Sequence, residues 1–183
     1  MQKKKQKAET EMSYEAEIKY NRENVQYLCE AVRKQFHFWS DFSLYLLSIL
    51  LIGLGLYLGL NKAAGLIPVI FGCLLLPNAN YPKKQFTKKM LTFMEGWWPT
   101  VRYHITDDSI QVLTDKQKTT TSLKKIIYLK KDSDFYFLFD SKNSAFMIKR
   151  SSLRPNDTTA FETFISSKTG LKWKTTKKPI RFI

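Results

Sequence analysis

Hydrophobic and polar positions along the chain follow several distinct periods. From Tyr14 to Tyr20 they alternate (Tyr14, Ala16, Ile18, Tyr20), which predicts a short strand. Asn21 then suits a helix N-cap, with Glu23 in the first turn. Val25, Leu28, Cys29 and Val32 continue at helical spacing toward Phe36, Phe38 and Trp39. The next nineteen residues, Phe42 to Leu60, hold no charge. As a helix they reach about 28 Å, close to a hydrocarbon core of about 30 Å. After Asn61-Lys62 a second uncharged run extends from Ala63 to Leu76, or to Ala79 at its longest, with Pro68 in its first turns. Fourteen to seventeen residues are at the lower limit for a crossing, so a re-entrant or interfacial segment is the rival to a second span. The two runs together predict a transmembrane helical hairpin.

Past the hairpin, residues 83–98 form a basic amphipathic pattern. Phe86, Met90, Phe93, Met94 and Trp97 share one helical face, while Lys84, Lys88 and Glu95 lie opposite. Such a helix either lies in a membrane interface or packs its apolar face on the following domain. From Thr100 the period changes to two. Val101, Tyr103 and Ile105; Ile110 and Val112; Thr119 to Ser122; Ile126 to Leu129; Phe135 to Phe139; and Ala145 to Ile148 read as short strands joined by tight turns, an antiparallel sheet or small barrel. A helix follows, capped by Asn156 or Asp157, with capping-box spacing at Thr159 and Glu162. Phe161, Phe164 and Ile165 make its apolar face, and Gly170 stops it. Five regions result: a tail with strand and helix (1–41), the hairpin (42–79), the connector helix (80–99), the strand domain (100–170) and a basic tail (171–183).

Charge sharpens this picture. The net charge of +14 is unevenly placed: residues 1–41 carry eight Lys or Arg against seven Asp or Glu, whereas residues 77–183 carry twenty-one against nine. Arg33 and Lys34 precede the first run, Lys83, Lys84, Lys88 and Lys89 follow the second, and the connecting turn holds only Lys62. The positive-inside rule then predicts a multi-pass cell-membrane protein with both termini in the cytoplasm. Residues 168–183 carry six basic groups and no acid, interleaved with Trp173, Ile180, Phe182 and Ile183. That composition suits an anionic leaflet or, less well, nucleic acid. The candidate surface residues are therefore Lys83, Lys84, Lys88, Lys89, Trp97, Trp98, Lys172, Trp173, Lys174, Lys177, Lys178 and Arg181.

The strand pair Val101 to Ile110, the segment Ser122-Leu123-Lys124-Lys125-Ile126-Ile127-Tyr128-Leu129, and Phe135 to Phe139 followed by Ala145 to Leu153 together resemble the bacterial YcxB-like family. The strand before the first run, Ile18-Lys19-Tyr20, also fits. The family's apolar-Pro-Lys-Arg segment lacks its proline here, because Ile148 leads directly to Lys149-Arg150. The resemblance implies an α+β membrane protein. Its N-terminal transmembrane hairpin would precede a small antiparallel pleckstrin-homology-like β-barrel capped by a C-terminal helix. It brings little about function. A phosphoinositide signature is missing from the first hairpin, where Leu113 to Lys118 offers only Lys116 and Lys118.

No motif for nucleophilic, phosphate-binding or zinc chemistry is present, and Cys29 and Cys73 have no metal-ligand spacing, so no catalytic residue, cofactor or metal is expected. His104 reads as solvent-facing, His37 as a membrane-edge residue, and Asp107-Asp108, Asp132 and Asp134 as turn formers. The apolar runs hold no acid, base or histidine, which argues for an anchor over a transporter. The expected function is a non-catalytic, membrane-anchored binding module that engages a protein partner or the anionic leaflet. The alternatives are a lipid-acting enzyme built around Arg102, His104, Asp107 and Asp108, and a membrane-tethered nucleic-acid binder.

Overall fold

The computed structural model describes residues 12–78 and 81–176, with the side chains of 38–41, 78 and 81–83 excepted. In chain order the elements are β1 (Tyr14–Lys19), α1 (Arg22–Phe36), α2 (Phe38–Leu58), α3 (Ala63–Asn78), α4 (Tyr81–Met94), β2 (Thr100–Ile105), β3 (Ser109–Leu113), β4 (Lys118–Ser122), β5 (Tyr128–Lys131), β6 (Phe135–Phe139), β7 (Ala145–Lys149), α5 (Thr158–Thr169) and β8 (Trp173–Thr175). They form two units. One is residues 22–96, all helical; the other joins the N-terminal residues through Asn21 to everything from Trp97 onward.

In the strand unit, β1-β2-β3-β4 make one antiparallel sheet and β7-β6-β5-β8 the other. Alternation places Tyr14, Ala16 and Ile18 of β1 and Val101, Tyr103 and Ile105 of β2 inward, while Glu15, Glu17 and Arg102 stay exposed. β6 is central in its sheet and buries Tyr136, Phe137, Leu138 and Phe139 in succession. Helix α5 brings Phe161, Phe164 and Ile165 into the same core, with Phe161 edge-on to Tyr14 at 5.1 Å between ring centroids. Asp157 is its N-cap, accepting from the Ala160 N–H at 2.8 Å; Thr159 and Glu162 do not form the capping box. Gly170 ends the helix in the left-handed region (φ 71°), where a Cβ would be strained.

The predicted small antiparallel barrel is corrected in two respects. The strands form two separate four-stranded sheets, and β8 runs parallel to β5, Leu129 opposite Trp173 and Lys131 opposite Thr175. A three-residue strand that follows a helix carries no periodicity of its own, so the pattern along the chain could not announce it.

The transmembrane hairpin is also corrected. Helices α2 and α3 form and pack on each other, but among the described residues no helix is long and apolar enough to cross a membrane. The apolar run extends to Leu60, yet the helix ends at Leu58, and Gly59 turns away at φ 89°. The uncharged helical part from Phe42 is then about 26 Å long, and the sixteen residues of α3, which include Pro68 and Pro77, reach about 24 Å; both fall short of a core of about 30 Å. The two-span bilayer partner, the multi-pass location and the cytoplasmic placement of the termini rested on those spans and fall with them. Helix α1 does not run on into α2 either, since it stops at Phe36 and His37 departs from helical geometry.

What holds α2 against α3 is close backbone approach at small residues. The Ser48 hydroxyl is fully buried and donates to the Gly72 carbonyl at 2.5 Å. A Cβ on Gly72 would lie 2.6 Å from Ile52 Cγ1 and 2.8 Å from the Ser48 carbonyl oxygen. The outer surfaces of the pair keep Ile49, Leu50, Tyr57, Phe71 and Leu74 exposed. Elsewhere in this unit α1 packs on α4 and buries Val25, Cys29 and Val32; burial pushes the Cys29 thiol up to about 11, opposed by a hydrogen bond with Thr87 of α4.

Gly72→Ala should lower the thermal midpoint of helix unfolding, at a cost of about 1–3 kcal/mol from overpacking. Gly53→Ala meets open space and should raise it, by up to about 1 kcal/mol of helix propensity; circular dichroism at 222 nm reads both. At pH 8 the exposed Cys73 should react with iodoacetamide far faster than Cys29, which stays a thiol until the pH nears 11. Mass spectrometry of the alkylated chain separates the two sites, and Cys29 should gain ordinary reactivity on denaturation.

Candidate functional site

Arg102, His104 and Asp107, three of the four polar residues singled out for a lipid-acting site, have separate partners, and Asp108 is exposed. Register sets Glu15 opposite His104 and Glu17 opposite Arg102 on the outer face of the first sheet. The Arg102 guanidinium meets Glu17 at 2.9 Å and His104 Nδ1 lies 3.5 Å from Glu15. Asp107 is instead turned to Lys168 on α5, at 3.0 Å. Each group is engaged with its own partner rather than around a shared cleft. Among the described residues no cluster of three or more His, Cys, Asp or Glu side chains could hold a metal ion.

A second polar knot lies at the end of the second sheet. The Glu162 carboxylate on α5 pairs with Lys131 of β5, accepts from the Tyr136 hydroxyl at 3.0 Å and lies 3.8 Å from Arg150. Arg150 also donates to the Asp132 carbonyl at 2.9 Å and stands over the Tyr136 ring at 4.9 Å. Burial, together with the bond to Glu162, raises the Tyr136 phenol above its ordinary range, so it remains the donor. The Trp173 indole N–H donates to the Glu162 carbonyl at 2.9 Å, and its ring packs 5.0 Å from Tyr136 and 6.3 Å from Phe161. This knot ties β5, β6, α5 and β8 together.

Placement of the candidate surface residues follows from these elements. Lys84, Lys88 and Lys89 are exposed on α4, and Lys83 lies in its first turn, its side chain outside the described set. Trp97 and Trp98 belong to the other unit; Trp97 is half-buried with the Lys116 ammonium 4.6 Å over its ring, and Trp98 is exposed. Lys172 and Lys174 are exposed, with Lys174 over Tyr128 at 5.2 Å, whereas Trp173 between them is packed inward. Lys177, Lys178 and Arg181 lie outside the described residues.

One basic cluster escaped the reading of the chain. Lys116 and Lys118 sit at one end of β4, Lys124 and Lys125 in a 3-10 turn at the other, and all four are exposed. The signal was present as two lysine pairs that flank the uncharged stretch Thr119 to Ser122, but only the strand pairing shows that the pairs bracket one sheet edge.

Comparison with known proteins bears on this part of the chain. A family model described as YcxB-like protein matches residues 105–165. Over this stretch, a third of the chain, the sequence is similar to that family. Neither the curated proteins nor the solved structures gave a match. The YcxB-like stretch runs from the end of β2 through most of α5. It includes β4 with its four flanking lysines and the Glu162 knot, but neither the α2–α3 pair nor β8.

Glu162→Gln should destabilise the YcxB-like stretch by about 1–3 kcal/mol, because it removes the charge that compensates Lys131 and Arg150 in a site only about one-fifth exposed. Urea unfolding followed by tryptophan fluorescence measures the loss, with Trp173 as a reporter beside the substitution.

Proposed function

We propose that the strand unit is a non-catalytic binding module for an acidic protein partner. The observation that carries this is how its charges are spent. Glu15, Glu17, Asp107 and Glu162 are paired within the unit, Asp157 caps a helix, and Asp132 accepts from the N–H groups of Asp134 and Phe135. Lys116, Lys118, Lys124, Lys125, Lys172 and Lys174 are exposed and meet no carboxylate among the described residues. Exposed Asp108 and Asp115 offset only part of these lysines, so the surface they leave is predominantly positive. Such a surface speeds encounter with an oppositely charged partner and suppresses the wrong ones. The separate engagement of Arg102, His104 and Asp107 gives no comparable support to catalysis.

The full chain should bind immobilised polyglutamate with an affinity that falls as salt rises, and the combined substitution Lys118→Glu, Lys124→Glu and Lys125→Glu should weaken it at least tenfold. Surface plasmon resonance in 50 and 300 mM sodium chloride reads both. Equal or tighter binding to single-stranded RNA of matched charge, or no binding to polyglutamate at low salt, would overturn the proposal.

A further inference from the structure

The geometry points to β4 as a strand-addition site that takes an extended acidic segment of the partner protein, an inference that rests on the binding-module reading and narrows it to one edge.

β4 ends its sheet, pairing with β3 alone, in a continuous register from Ser109 opposite Ser122 to Leu113 opposite Lys118. In an antiparallel pair, hydrogen-bonded and non-hydrogen-bonded positions alternate. The Leu123 N–H donates to the Asp108 carbonyl and the Thr114 N–H to the Gln117 carbonyl, both at 2.9 Å. Odd-numbered positions on β4 therefore turn their peptide groups toward β3. Lys118, Thr120 and Ser122 turn their N–H and C=O groups the other way, off the edge of the sheet.

Among the described residues no strand pairs with that edge, whereas the opposite edge of the same sheet is occupied. The outer side of β1 is taken by Arg154, which exchanges two backbone bonds of 2.7 Å with Glu15, and by the Ser152 hydroxyl, which accepts from the Glu17 N–H at 3.2 Å. In the second sheet β8 covers β5 and is itself an edge, three residues long against the five of β4. Lys118, Thr119 and Thr120 are exposed, and Thr121 and Ser122 half-buried. The usual protections of a free edge are a bulge, a proline or an inward-pointing charge. β4 has none of these three: its register is unbroken, and Thr119 to Ser122 are uncharged residues suited to a strand; what guards it is lysine at its ends, which repels another basic edge but admits an acidic segment.

Charge selects the occupant. Lys116 and Lys118 at one end and Lys124 and Lys125 at the other stand about 17 Å apart along a five-residue strand. A segment paired to β4 would run between them and meet a basic group at each end. Side-chain faces add a second requirement. Thr121 lies opposite the buried Ile110 and Thr119 opposite Val112, so alternate residues of the added strand would extend the core face and favour β-branched or apolar side chains. The matching ligand is an extended segment of alternating apolar and polar residues with carboxylates at its ends. Main-chain bonds would supply affinity and the end charges would supply choice.

The test uses the full chain and a synthetic peptide of alternating valine and threonine with two glutamates at each end. A counterpart carries glutamine in place of glutamate. Amide hydrogen exchange followed by NMR should slow at least tenfold at Lys118, Thr120 and Ser122 when the acidic peptide is added, with little change at Thr119 and Thr121, already bonded to β3. The glutamine counterpart should bind at least tenfold more weakly. Thr120→Pro deletes an N–H that faces away from β3, so the sheet should survive while peptide binding is lost. Should that variant fail to fold, Lys118→Glu with Lys124→Glu gives the same loss without touching the backbone. Binding of the peptide without protection at the three amides would overturn strand addition. So would polyglutamate binding with no peptide binding; either result would leave the acidic-partner reading standing. Loss of polyglutamate binding as well would overturn both.

Discussion

The pairing of Tyr14–Lys19 with Thr100–Ile105 is the interaction on which the strand unit depends. Six residues near the start of the described chain lie antiparallel to six that come more than eighty positions later, from Tyr14 opposite Ile105 to Lys19 opposite Thr100. Without β1, the first sheet would expose the inner edge of β2. The core would also lose Tyr14, which packs between Phe161 and Phe164, and Ile18. The Tyr20 and Tyr103 hydroxyls, fully buried and 3.3 Å apart, satisfy each other just past the end of the strand. Closing a loop of this length costs entropy that grows only slowly with length, so burial of one alternating face is enough to hold it.

The strand unit also organises its charge from the inside. Glu162 is the only acid on α5, and it gathers Lys131, Tyr136 and Arg150 from the second sheet while its carbonyl receives the Trp173 indole. The helix is thereby locked to the sheet, and β8 is held beside β5. Carboxylates spent on such internal duties are withdrawn from the surface. The basic excess of the sequence then appears outside as lysines, with β4 between two pairs of them. The pairing of acids within the unit and the excess of lysine on its surface are in this way linked.

Much of the fold was legible along the chain. The alternation of Tyr14 to Tyr20, the strands from Val101 to Ile148 and the apolar face of α5 each appear close to where the pattern puts them, because burial of one face imposes its period on local sequence. Boundaries were less secure. Ile126 and Ile127 looked like strand and instead follow a 3-10 turn, with Ile126 buried and Ile127 exposed. Of the candidate surface, Trp173 carried the right composition for an exposed basic-aromatic tail, yet its ring lies against Tyr136 because β5 offered an unpaired edge. The four lysines around β4 were visible as residues but not as a cluster.

The sequence by itself determined most of the strands and helices, β8 and the Ile126–Ile127 segment excepted, the sign and uneven placement of the charge, and the uncharged character of residues 42–60. These follow from composition and period, which are local. Tertiary structure decided that the uncharged run stops being helical at Leu58, that the strands form two sheets, that β8 joins in parallel, and that the outward peptide groups of β4 have no strand beside them among the described residues. The pairings among these depend on what a segment meets from far along the chain, such as β8 reaching the side of β5. Period cannot encode such meetings, since a strand reads the same whether its second edge is taken or open.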